Sequence, residues 1–159
     1  GNDNITYVDY AQKNQINYIL GDEKDVLSRL IACGEKAQAS DIFRVTSESP
    51  FLYFDEAVSL WQHYVEFDLD ALFMDEIIDG CGFEIISLEA LKKSHENGDE
   101  RHRSELCSLY IRENNNQFNI RKVFPPKELI RKDLRLTVDN PEDLVVCRAV
   151  YQHFKYCKC

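Results

Sequence analysis

Glu48 and Asp139 are the residues whose type and position most invite chemistry. Glu48 follows a segment, Asp41–Thr46, in which Ile42, Phe43 and Val45 read as a strand that breaks at Ser47-Glu48-Ser49-Pro50. Asp139 follows Leu134–Val138, also read as a strand, and opens Asp139-Asn140-Pro141-Glu142-Asp143. In an open α/β sheet, ligands bind beyond the carboxyl ends of the strands. Two carboxylates at neighbouring strand ends can hold a hard cation such as Mg²⁺, which takes oxygen ligands and keeps places for water and phosphate. Two plainer roles stand beside that one. Asp139 could serve only the start of the next helix, and Glu48 could be a solvated turn residue.

Other chemistry-bearing residue types are spaced against function. Cys33, Cys81, Cys107 and Cys147 are isolated, and Cys157 and Cys159 form only a CxC at the terminus. Zinc sites usually draw on paired Cys or Cys/His knuckles, so free thiols in a reducing compartment are expected. Of His63, His95, His102 and His153, only His102 has charged neighbours on both sides, in Arg101-His102-Arg103. It reads as an exposed residue at a helix start. Trp61 lies in an apolar helical stripe and reads as packing rather than stacking on a base.

The elements that must position Glu48 and Asp139 alternate along the chain. Ile5–Lys13 predicts a helix and Ile16–Leu20 a short strand. Val26, Leu27, Leu30, Ile31 and Ala37 recur at helical steps and predict a helix over 23–38. A helix at 55–67, strands near 70–74 and 83–87, and a helix over Leu88–Glu96 ending at Asn97-Gly98 follow. A helix over 103–114, a strand at Phe118–Val123 and the strand Leu134–Val138 complete the sheet. Asn140 suits an N-cap, Pro141 the first helical position, and Asp143 the third, where its charge favours a helix N-terminus. Such alternation implies one α/β layered domain across 1–159, with a mostly parallel sheet flanked by helices.

Charge narrows the partners. With 19 basic and 28 acidic residues the net charge is −9, a field that repels a nucleic-acid polymer. The most basic stretch, Arg121 to Lys132, is interrupted by Pro125-Pro126 and reads as a solvated loop. No apolar run approaches the ~20 residues needed to span a bilayer. Neither a membrane nor a nucleic acid is an expected partner, and a cytoplasmic location is.

Four stretches in order carry a resemblance. The segment Leu134-Arg135-Leu136-Thr137-Val138-Asp139-Asn140-Pro141-Glu142-Asp143-Leu144 resembles the C-terminal signature of cytidylyltransferases that activate sugars. Gly21-Asp22-Glu23-Lys24-Asp25-Val26-Leu27-Ser28-Arg29 and Phe43-Arg44-Val45-Thr46-Ser47-Glu48-Ser49-Pro50 are similar to that family's helix-opening segment and metal-binding turn. Asp79-Gly80-Cys81-Gly82-Phe83-Glu84-Ile85, with Ser104-Glu105 through Tyr110-Ile111, resembles its later glycine turn and helix. The likeness covers nearly the whole chain and is to the spore-coat-polysaccharide and acylneuraminate types.

That resemblance implies a Rossmann-like nucleotidyltransferase fold and transfer of CMP from CTP to a sugar acid or related acceptor, with Mg²⁺, in surface glycan synthesis. Asp139 then matches one metal-binding aspartate, and Glu48 stands where the family usually has Gly-Asp. Arg44 and Glu84 are expected at the substrate, with an arginine–acid pairing equally open for Arg44. A homodimer is left open. The family's basic, glycine-rich phosphate loop has no counterpart among Gly1, Gly21, Gly34, Gly80, Gly82 and Gly98, so the chain is expected to begin after it. The acidic residue often found in the later glycine turn is Gly82 here, and a familiar histidine is Leu106. Turnover by this polypeptide alone is therefore not expected. The alternative is a catalytically inactive member serving as a protein- or sugar-binding scaffold.

The cysteine spacing predicts six titratable thiols under denaturing, non-reducing conditions. Recovery of markedly fewer, or stoichiometric zinc by elemental analysis, would refute it.

Overall fold

A computed structural model describes residues 5–155. The helices are α1 (Ile5–Lys13), α2 (Val26–Ala37), α3 (Ala57–Glu66), α4 (Leu88–Asn97), α5 (Glu100–Arg103), α6 (Leu109–Glu113) and α7 (Pro141–Lys155). The strands are β1 (Asp41–Arg44), β2 (Ala71–Met74), β3 (Glu84–Ser87) and β4 (Ile120–Val123), in the sheet order β1-β3-β2-β4. β2 and β4 are parallel, with Ala71 opposite Ile120 and Met74 opposite Val123. The result is a mixed α/β chain whose four-stranded sheet is flanked by helices. By chain range it divides into two compact units, Gly1–Ile42 with Ile86–Asn119 and Phe43–Ile85 with Ile120–Cys159.

In the first unit, local capping decides where helices start. Asp25 accepts from the Ser28 N–H at 2.8 Å and so caps α2. The same carboxylate lies 2.8 Å from His95 Nε2 on α4. Ser87 caps α4 by accepting from the Ala90 N–H at 3.1 Å. Lys92 on α4 pairs with Glu35 on α2 at 3.1 Å. Gly34 keeps α2 close to its neighbours: a Cβ there would lie 2.8 Å from Leu88 Cδ1.

In the second unit, Tyr64, Leu69, Leu72, Met74, Phe83 and Ile85 form a buried apolar cluster, flanked by Tyr53, Leu60 and Ile77. All four residues of β2 are buried, as befits a strand covered on both faces. Phe43 stacks on Phe83 with ring centroids 4.6 Å apart. Trp61 stacks on Tyr64 at 5.5 Å while remaining 42% exposed.

The structure differs from the sequence expectations in four places. Ile16–Leu20 forms no strand. The helix expected over 103–114 is split into α5 and α6, because Ser104 Oγ turns back onto the Arg101 carbonyl at 2.6 Å and accepts from the Leu106 N–H at 3.3 Å. Such side-chain bonds compete with the helical ladder. Leu134–Val138 is not a strand, for only one parallel bridge forms there, between Asp79 and Arg135. His102 is buried rather than exposed. The Asp99 N–H donates to its Nδ1 at 2.9 Å, which leaves Nε2 to donate to Glu113, also at 2.9 Å. Among the described residues, no helix is long and apolar enough to cross a membrane.

Leu72 is fully buried in the β2 core. Leu72→Ala should lower the unfolding free energy by about 2–5 kcal/mol, read as a denaturant midpoint shift at constant slope. Leu106→Ala, at a site 55% exposed, should change it by less than about 0.5 kcal/mol.

Candidate functional site

Glu48 and Asp139 lie in the same unit, and the backbone ties their segments together. The Val138 N–H donates to the Glu48 carbonyl at 2.8 Å, placing the residue before Asp139 directly against Glu48. Thr46 and Ser49 brace the Glu48 turn: the Ser49 N–H donates to the Thr46 carbonyl at 3.2 Å, and their hydroxyls are 2.8 Å apart. Ser47 Oγ lies 3.4 Å from a Glu48 carboxylate oxygen.

The other side of the 135–139 segment is held by the turn at Asp79-Gly80. The Leu136 N–H donates to the Asp79 carbonyl at 2.8 Å. Gly80 makes this approach possible. Its φ is +86°, and a Cβ there would fall 2.6 Å from the Thr137 nitrogen and 2.7 Å from the Leu136 carbonyl carbon. No other residue combines that backbone conformation with that clearance. Thr137 is buried between these contacts.

Arg135 organises the charges. Its guanidinium bonds Asp79 at 2.6 Å, Asp139 on the adjacent turn, and Asp143 at 3.3 Å. Asp143 in turn accepts from the backbone N–H groups of Asn140 and Asp139 at 2.9 and 3.0 Å. That is the reach-back expected of an acidic residue at the third position of a helix. The Asn140 and Asp139 N–H groups, then Arg135, hold the Asp143 carboxyl below the usual carboxylate range. Asp143 raises the Arg135 guanidinium further above its already high value. Burial pushes the nearby Cys81 and Cys147 thiols up, which keeps them neutral.

One cation among three carboxylates leaves surplus negative charge at a solvent-accessible edge, with Asp139 about half exposed. Among the described residues, no three His, Cys, Asp or Glu side chains gather as a ready metal cage. Mg²⁺ needs less than that, commonly one or two carboxylates plus phosphate and water. Glu48 and Asp139 carry the oxygen donors such a cation takes, on backbone segments bonded to each other, with the Asp139 carboxylate also held by Arg135.

Arg44 and Glu84, the residues expected at a substrate, are each other's partner. Arg44 Nη1 lies 2.7 Å from Glu84 Oε2, and both side chains are less than one-fifth exposed. The arginine–acid pairing left open for Arg44 is therefore the one that forms. Sequence reasoning did not single out Arg135 or Asp79. The steps of four from Arg135 to Asp139 to Asp143 were a readable signal, but Asp79, 56 positions from Arg135, carried none.

Comparison with known proteins bears on the fold. No family model matches the chain. An uncharacterized protein of Methanocaldococcus jannaschii is 29% identical over 139 residues, spanning 87% of this chain and 57% of that protein. A solved cytidylyltransferase from Leptospira borgpetersenii superposes with a TM-score of 0.84 at 22% identity, over 97% of this chain and 66% of that one. The fold is thus the one seen in a cytidylyltransferase, and this chain spans less than two thirds of the length of either protein.

Because the Asp143 carboxyl is depressed in the fold, its support for the start of α7 is fully present above the unfolded value. It is lost as pH falls through the folded value, on the acid side of the ordinary carboxylate range. The protection factors of the Asp139 and Asn140 amides, corrected for intrinsic exchange at each pH, should fall there. Asp143→Ala should show the faster exchange at neutral pH and remove the acid dependence; an unchanged acid profile would contradict the assignment.

Proposed function

We propose that this chain is the part of a sugar-activating cytidylyltransferase that holds the metal-bound triphosphate, with Asp139 and Glu48 as the carboxylate ligands. The observation that carries the reading is the 2.8 Å bond from Val138 N–H to the Glu48 carbonyl. It supports the reading by joining the backbone of the two segments that carry the candidate ligands, on a fold shared with a cytidylyltransferase.

In the proposed reaction an acceptor hydroxyl of a sugar acid attacks the α-phosphorus of CTP. The new oxygen–phosphorus bond joins CMP to the sugar, the hydroxyl proton passes to water, the α–β phosphoanhydride bond breaks, and pyrophosphate leaves with the electron pair. Mg²⁺ bound at such a site neutralises the triphosphate and the charge that builds on it during in-line displacement. Asp139 and Glu48 are the residues that would hold the cation from the protein side. Arg135 engages Asp79, Asp143 and Asp139 itself, so a cation would share the Asp139 carboxylate with that guanidinium. Surface-glycan synthesis in the cytoplasm is the setting this chemistry implies.

These 159 residues contain no basic glycine-rich loop to supply the N–H groups a triphosphate needs. Affinity for CTP should therefore be weak, with Kd on the order of 1 mM, and pyrophosphate release undetectable with this polypeptide alone. Calorimetric titration of CTP should show binding only with Mg²⁺, lost in Asp139→Ala and weakened in Glu48→Gln. CTP binding that is indifferent to Mg²⁺ and to both substitutions would overturn the proposal.

A further inference from the structure

Arg135 and a cation would call on the same carboxylate. The Arg135 Nη2 group donates to Asp139 Oδ2, which also receives the Thr137 hydroxyl at 3.4 Å. Among the described residues, none engages Asp139 Oδ1. The guanidinium is not free to swing aside. Asp79 holds its Nη1 at 2.6 Å and Asp143 holds its Nε at 3.3 Å, so turning the planar fork away from Asp139 disturbs the other two bonds. A cation reaching Oδ1 therefore meets a carboxylate whose charge is already partly spent, with a fixed positive charge on its other oxygen.

That placement gives Arg135 an effect opposite to that of a simple brace. A guanidinium repels a bare divalent cation, yet it attracts the phosphates that a nucleotide-bound cation carries. Given the cation site proposed above, we propose that Arg135 is a positioning residue that makes this site take a phosphate-bound cation in preference to the free ion. It fixes Asp139 through Oδ2, leaves Oδ1 to the metal, and withholds the negative charge that a free ion needs. Phosphate oxygens supply the remainder. Backbone bonds from Leu136 N–H to the Asp79 carbonyl and from Val138 N–H to the Glu48 carbonyl, both 2.8 Å, hold residues 136–138 without help from the guanidinium. Replacing Arg135 thus changes the charge at Asp139 more than the path of its segment.

The test measures Mn²⁺ affinity by water-proton relaxation, since Mn²⁺ takes the same oxygen ligands, and Mn²⁺–CTP affinity by calorimetry. Arg135→Met should bind free Mn²⁺ about tenfold more tightly, while its affinity for Mn²⁺–CTP changes by less than about threefold. Arg135→Lys, which keeps the charge, should stay within about threefold of the unaltered chain for the free ion. A mere brace predicts the reverse, weaker binding of both on Arg135→Met. Adding Asp139→Asn to Arg135→Met should remove the gain. Equal or weaker free-ion binding in Arg135→Met that still depends on Asp139 would overturn the role of Arg135 and leave the cation site standing. Mn²⁺ binding indifferent to Asp139 in every chain would overturn both. If Arg135→Met fails to fold, nuclear magnetic resonance of the unaltered chain decides. The Arg135 guanidinium signals, assigned by their loss in Arg135→Lys, should shift together with the Asp139 amide as Mg²⁺ and CTP are added. An Asp139 amide that moves while those signals stay would overturn the proposal.

Discussion

The Arg135 guanidinium, shared among Asp79, Asp139 and Asp143, is the contact on which the candidate site depends. The segment that carries Asp139 belongs to no strand and gains only one isolated bridge, from Arg135 to Asp79. Its course is set by three kinds of contact. Backbone bonds reach it from Glu48 and Asp79, the absent side chain of Gly80 lets it approach, and Arg135 gathers the carboxylates around it. An exposed ion pair taken singly is worth about 0–1 kcal/mol. A shared guanidinium does more, because ordering one side chain serves three partners and one of those partners also caps α7.

The same arrangement sets the electrostatics. Three carboxylates around one guanidinium, in a chain of net charge −9, create an edge that favours cations and repels a bare triphosphate. In the proposed site a divalent cation would reconcile the two, satisfying surplus carboxylate oxygens and presenting positive charge outward. Arg44 and Glu84 illustrate the opposite case. At less than one-fifth exposure each, they cancel one another on adjacent strands, and neither projects a free charge. Removing either one would take the 2.7 Å ionic contact from the other, which is partly buried, the costly way to break such a pair.

Much of the local structure was legible in the sequence. The stripe Val26, Leu27, Leu30 and Ile31 placed α2, and Asn140-Pro141 with Asp143 placed the start of α7 to the residue. These features arise from bonds and burial within a few positions, which a local pattern encodes directly. The α/β class followed from their alternation. Where the answer lay in a distant partner, the pattern misled or was silent. Ile16–Leu20 and Leu134–Val138 have strand-like side chains, but a strand exists only when another chain segment supplies its ladder, and neither segment has one here. His102 looked exposed between two arginines, yet its burial depends on Asp99 and Glu113 closing around it. The contacts between Val138 and Glu48, Arg135 and Asp79, and Arg44 and Glu84 join positions separated by 90, 56 and 40 residues. The sequence by itself determined which side chains were available for chemistry and which helices would carry them. Only the tertiary course of the chain decided which of those charges meet, because a pairing across such distances leaves no periodic trace.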